Sequence, residues 1–157
     1  MYSKALLAVG SVIFAAAMTI AVSAQTYRKS VSAAEVNGTY EYKFTGRYKG
    51  SSNMIKVLAL GGRKLRVSIN VVYPYYVNGD LMANIGQLET TAVIDGDTAT
   101  ISDREMPKCR ATLFFASPGV LKVSGADETA CGFGHNVTGN GTYKKTSSAK
   151  PTFDSAD

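Results

Sequence analysis

Few residues in this chain could carry chemistry. There is one histidine, His135, and there are two cysteines, Cys109 and Cys131. Hydrolysis by a side-chain nucleophile needs a nucleophile, a base and a group that orients the base. His135 lies between Gly134 and Asn136 with no acid beside it in sequence, a context that suits a solvent-facing turn. One histidine and two cysteines outside any CxxC pair cannot complete a zinc site. No GxSxG, HExxH or phosphate-cradling glycine loop is present. The closest carboxylate pairs are Asp95 with Asp97 and Asp127 with Glu128. Asp95-Gly96-Asp97 is better explained as turn chemistry, and neither stretch offers the regularly spaced oxygens of a calcium loop. The expectation is that the chain has no catalytic residue, no metal ligand and no cofactor.

Recognition chemistry is better represented. Tyr73, Tyr75 and Tyr76 cluster around Pro74, and Arg47-Tyr48 forms a second aromatic and basic pair. Tyrosine joins a large apolar ring to a polar tip, which suits recognition surfaces. Residues Tyr73 to Asp80 break the strand pattern and are expected to form a loop at one rim, turning at Asn78-Gly79. Arg47 and Tyr48 belong to a different loop that need not share that rim. These five residues are the candidate binding set, and the competing use for them is to plug an open end of the fold.

The elements that position these residues start after an N-terminal targeting segment. Met1-Tyr2-Ser3-Lys4 is a short basic start, residues 5–21 are mostly apolar, and Val22-Ser23-Ala24 offers small residues for signal-peptidase cleavage. Residues 1–24 are therefore expected to be a signal peptide, and the destination periplasmic or secreted. Loss of Lys4 leaves 16 basic residues against 12 acidic ones, a mild excess scattered along the chain. Clustered basic residues with interleaved aromatics are absent, so no nucleic acid is expected as a partner. In an oxidising destination Cys109 and Cys131 are expected to form one disulfide.

Residues 25–37 are mixed and polar and read as an arm with at most a weak helical turn. Beyond them the pattern is period two. Tyr40, Tyr42 and Phe44 alternate with Glu41 and Lys43, and Leu65, Val67, Ile69 and Val71 alternate with Lys64, Arg66, Ser68 and Asn70. Gly61-Gly62, Asn78-Gly79, Asp95-Gly96 and Ser117-Pro118-Gly119 separate the runs. Gly86, inside a longer run, suggests a bend or bulge. About eight strands with short connections predict an all-β antiparallel up-and-down barrel over residues 38–145, with a two-sheet β-sandwich as the alternative. The last strand should then pair with the first, putting Tyr143 near Tyr40. Charged outward positions such as Lys43, Lys64 and Arg66 argue against a membrane-spanning barrel. Residues 146–157 read as a disordered tail. The sequons at Asn37, Asn136 and Asn140 read as turns rather than glycan acceptors.

The stretch Cys131-Gly132-Phe133-Gly134, with Asn136-Val137 and the final Gly141-Thr142-Tyr143, resembles the C-terminal signature of small exported bacterial β-proteins. The meander is also similar to lipocalin and avidin barrels, although the chain has no tryptophan and Gly38-Thr39-Tyr40 stands where those families open with Gly-x-Trp. The resemblance implies a fold and a compartment and brings no substrate or catalytic residue with it. Two functions are compatible with all of this: a binding protein that uses its rim aromatics on a protein or cell-envelope partner, or a carrier of a small apolar ligand inside the barrel.

Overall fold

A computed structural model describes residues 30–102 and 104–153. The expected signal peptide and its cleavage site lie outside the described residues. The fold is a closed antiparallel barrel in which the strands neighbour one another in sequence order and the last pairs with the first. Its strands are β1 (Gly38–Lys43), β2 (Ser52–Gly61), β3 (Lys64–Val77), β4 (Asp80–Asp95), β5 (Thr98–Ile101), β6 (Thr112–Ser117), β7 (Val120–Ser124) and β8 (Gly141–Ser147). Two single-turn helices accompany them, α1 (Ala33–Val36) ahead of β1 and α2 (Glu128–Cys131) between β7 and β8. The meander barrel is thus the observed architecture, and the sandwich is not.

Period-two alternation explains the interior. Ile55 and Val57 on β2, Leu65, Val67, Ile69 and Val71 on β3, and Leu113, Leu121 and Tyr143 on later strands are all buried. Their outward neighbours Lys56, Arg66 and Lys122 stay at least partly in water. Tyr40 and Tyr143 are the largest fully buried side chains, and their hydroxyls bond inside the barrel. Tyr40 donates to the Val36 carbonyl at 2.9 Å, and Tyr143 to the Gly139 carbonyl at 2.8 Å. Burial pushes the Tyr143 hydroxyl up to about 12 and raises that of Tyr40 further. Tyr42 departs from expectation. It has inward parity but lies beyond the packed interior, is 42% exposed, and rests its ring 6.2 Å from that of Tyr143.

Antiparallel connections alternate between the two ends. The tight turns after β2, β4 and β6 share one end with α1, and the longer connections after β1, β5 and β7 share the other with the tight turn after β3. Residues 30–37 are not a free arm but the plug of the first end. Ser32 and Glu35 form a capping box around α1, Val36 is buried, and the Val31 amide donates to the Gly96 carbonyl. Lys145 on β8 donates to the carbonyls of Glu35 at 2.6 Å and Asn37 at 2.8 Å, so the last strand clamps the helix end. Residues 148–153 likewise pack rather than trail. Pro151 is buried, the Thr152 carbonyl accepts from Lys56, and the Arg66 guanidinium lies 4.5 Å from the Phe153 ring centroid.

Two turns fall one residue later than their sequence signals suggest. Gly61 pairs with Lys64 and Asp95 with Thr98, so the two-residue loops are Gly62-Arg63 and Gly96-Asp97. The carboxylate of Asp95 pairs with Arg63 at 3.0 Å, and that of Asp97 accepts from the Thr98 hydroxyl. Both acids serve the turn.

Candidate binding site

The second end of the barrel is built around one element longer than the sequence pattern suggests. Residues 73–77 do not form a loop; they continue β3. Pairing of β3 with β2 stops at Asn70, whereas pairing with β4 runs on without a register shift to Val77 opposite Asp80. The β4 strand meets β5 only over Ala92–Asp95. The seven pairs from Val71–Gly86 to Val77–Asp80 therefore form a two-stranded ribbon about 20 Å long, at about 3.3 Å per residue, whose last five pairs run past the end of β2 at Ser52. Asn78 and Gly79 both have positive φ, as a type I′ turn requires.

Paired residues share a face of the ribbon. Tyr73, Tyr75, Val77 and Met82 lie on one face, and Pro74, Tyr76, Leu81 and Ile85 on the other. Ten large apolar side chains are exposed among the described residues, and six of them belong to this hairpin: Tyr73, Tyr76, Val77, Leu81, Met82 and Ile85. The Tyr73 and Tyr75 rings stack at 6.4 Å. The loop after β1 leans on the opposite face, where Tyr48 stacks on Tyr76 at 5.9 Å and the Arg47 guanidinium sits 4.8 Å from the Tyr48 centroid. The Tyr76 hydroxyl donates to the Arg47 carbonyl at 2.9 Å, which fixes the arrangement. All five candidate residues thus gather on or against the ribbon, with Tyr75 half-buried. Sequence reasoning missed Val77, Leu81, Met82 and Ile85. Their signal was present as an apolar run on each side of Asn78-Gly79, hidden because Pro74 and adjacent aromatics interrupt period two.

The ribbon's edges are partly guarded. The Val72 amide donates to Asn53 Oδ1 at 2.8 Å, and Pro74, two residues on along the same edge, has no amide hydrogen to offer. On the other edge the Ile85 carbonyl accepts from the Gly134 amide at 3.0 Å. That bond belongs to a clasp made by the segment that follows α2. Cys131 is bridged to Cys109, joining the connection after β5 to that after β7. Phe133 lies directly on Gly86, and Asn84 Nδ2 donates to the His135 carbonyl at 2.8 Å. The register through Gly86 is unbroken, so this glycine marks neither bend nor bulge; it makes room for an aromatic ring.

The remaining polar groups at this end serve structure. Asp127 caps α2 by accepting from the Ala130 amide at 3.0 Å. Glu128 accepts from the Asn136 amide at 2.5 Å and meets His135 Nδ1 at 3.1 Å. The Asn136 amide first, and His135 second, hold its carboxyl below the usual range. The His135 ring is exposed. Among the described residues no cluster of three or more histidine, cysteine, aspartate or glutamate side chains is placed to hold a metal ion, and no helix is long and apolar enough to cross a membrane.

Comparison of the chain with protein-family models, with curated proteins and with solved structures matches none of them. The site therefore has to be interpreted from its own geometry.

Proposed function

We propose that this chain is an exported, non-enzymatic binding protein that engages a protein or cell-envelope partner through the β3–β4 ribbon. One observation carries the proposal: six of the ten exposed large apolar side chains sit on a single protruding hairpin. A protein in water gains nothing from that concentration unless something covers it. The apolar leader ending in Val22-Ser23-Ala24 and the Cys109–Cys131 bridge support export to an oxidising compartment. The rim aromatics lean on a rigid barrel packed with its own side chains, which supports action at the surface rather than carriage of an apolar ligand within.

The test is a photo-crosslinking side chain installed at Tyr76 in cells of the source organism. A discrete adduct that disappears when Leu81 and Met82 are both replaced by serine is the expected result. Crosslinks no more frequent than at Leu60, an exposed apolar residue at the opposite end of the barrel, would remove the ribbon from consideration.

A further inference from the structure

Building on that use of the ribbon, we infer that its tip seats in the headgroup layer of an anionic phospholipid bilayer. The distribution of apolar side chains points away from a flat protein surface. Docking one face of the ribbon on a partner would cover Tyr73, Val77 and Met82 or else Tyr76, Leu81 and Ile85, and leave the other set in water. A fluid interface surrounds both faces at once. Exposures of 43–49% for Tyr76, Val77, Leu81 and Met82, two residues on each side of the turn, describe an apolar tip open on both faces, with Tyr48 against part of Tyr76.

Depth is limited by the same element. Asp80 and Asn78 occupy the turn, and the ribbon carries backbone groups along its edges that hydrocarbon could not satisfy. The tip therefore stays among headgroups. Tyr73 stands further back along the ribbon and Tyr48 stacks on Tyr76 beside the tip, both amphipathic rings of the kind favoured at a membrane interface.

Charge complements this arrangement. Between Glu41 and Asp80 the chain has no acidic residue. Lys43 at the end of β1 and Arg47 and Lys49 in the loop that leans on the ribbon are exposed, and among the described residues the one acid paired with them is Glu41, 3.7 Å from Lys43. Arg47 lies beside the tip, 5.9 Å from the Tyr76 ring centroid, where phosphate groups would lie once the tip is seated, and Lys43 and Lys49 add attraction at longer range. Basic side chains beside an apolar insertion are the combination that binds anionic membranes reversibly.

The chain lacks tryptophan, so one introduced residue reports its own surroundings. Val77→Trp places the probe at the tip and Leu60→Trp at the opposite end. With vesicles of phosphatidylglycerol and phosphatidylcholine, the Val77→Trp emission should shift to the blue and be quenched by headgroup-level spin-labelled lipid, whereas Leu60→Trp should not respond. In flotation, Leu81→Ser with Met82→Ser should lower partitioning about tenfold or more. Lys43→Glu with Lys49→Glu, or vesicles of phosphatidylcholine alone, should weaken binding, as should added salt. All variants share one N-terminus, so differences between them report the ribbon only, and unchanged far-ultraviolet circular dichroism verifies folding. Equal responses from the two tryptophans, or flotation unaffected by the serine pair, would overturn the inference. Absence of vesicle binding combined with a protein crosslink at Tyr76 would overturn it too, while leaving the ribbon as a protein-binding element.

Discussion

Phe133 lies over the α-carbon of Gly86, and a Cβ built there would come within 2.5 Å of the ring. Gly86→Ala is therefore expected to destabilise the barrel by about 1–3 kcal/mol through overpacking. Phe133→Ala creates the complementary void, and the double variant should be more stable than the sum of the two changes predicts, because each relieves the other. Additive urea-unfolding energies would show that the two residues do not meet. A second residue-level prediction concerns alkali. The Tyr143 hydroxyl has an ordinary value near 10 in the unfolded chain and about 12 in the barrel. Between those pH values the unfolded chain has released the proton and the folded one still holds it. The stabilisation is present below pH 10 and is lost as pH rises towards 12, at about 1.4 kcal/mol per unit. Wild-type stability should consequently fall more steeply than that of Tyr143→Phe over this window. At pH 8 the phenylalanine variant should be weaker by about 1 kcal/mol, having lost its bond to Gly139. Parallel pH profiles would show that Tyr143 titrates normally.

Elements show how far the sequence could be followed. Leu65, Val67, Ile69 and Val71 announce a half-buried strand because each is preceded by a polar residue, and the turn pairs give the connections and hence the meander. The ribbon was hidden for a physical reason. An element exposed on both faces has no polar side, so Tyr75-Tyr76-Val77 and Leu81-Met82 carry no alternation to read. The α1 plug was hidden because a single turn of helix is too short for a 3.6-residue period. What holds it is distant in sequence: Lys145, whose ammonium reaches the carbonyls of Glu35 and Asn37. Lys145→Met keeps the stem and removes those bonds. It should cost about 1–2 kcal/mol in urea unfolding and speed hydrogen exchange at residues 33–37. Unchanged exchange there would mean that Val36, the capping box and the Tyr40 hydroxyl hold the helix without Lys145. The packed tail escaped notice similarly, since Pro151 and Phe153 sit in a stretch whose composition is that of a linker.

For the whole molecule, stability is divided between a closed strand ring and a covalent bridge at the ribbon end. Closing the 22-residue separation between Cys109 and Cys131 is worth about 3 kcal/mol in the chain-entropy description. Reduction should accordingly lower the melting temperature and loosen the Phe133 clasp before the barrel opens, visible as early hydrogen exchange at the Gly134 amide. Simultaneous loss of clasp and barrel protection would show that the bridge supports the fold as one unit. The charge distribution belongs to this scale as well: binding through the ribbon should weaken with ionic strength to a degree that barrel stability does not.

The pairing of β8 with β1 has a further consequence for how the protein is made. The Lys145 ammonium and the Asn37 carbonyl it caps are 108 residues apart in sequence, so the ring cannot close until nearly the whole chain is available. Synthesis from the N-terminus leaves β1 and α1 waiting with an open edge and an uncapped helix end while everything else emerges. Contacts of such long range slow folding. A nascent chain lacking its final strand is thus held open by topology, and the barrel forms only once β8 is free to reach β1.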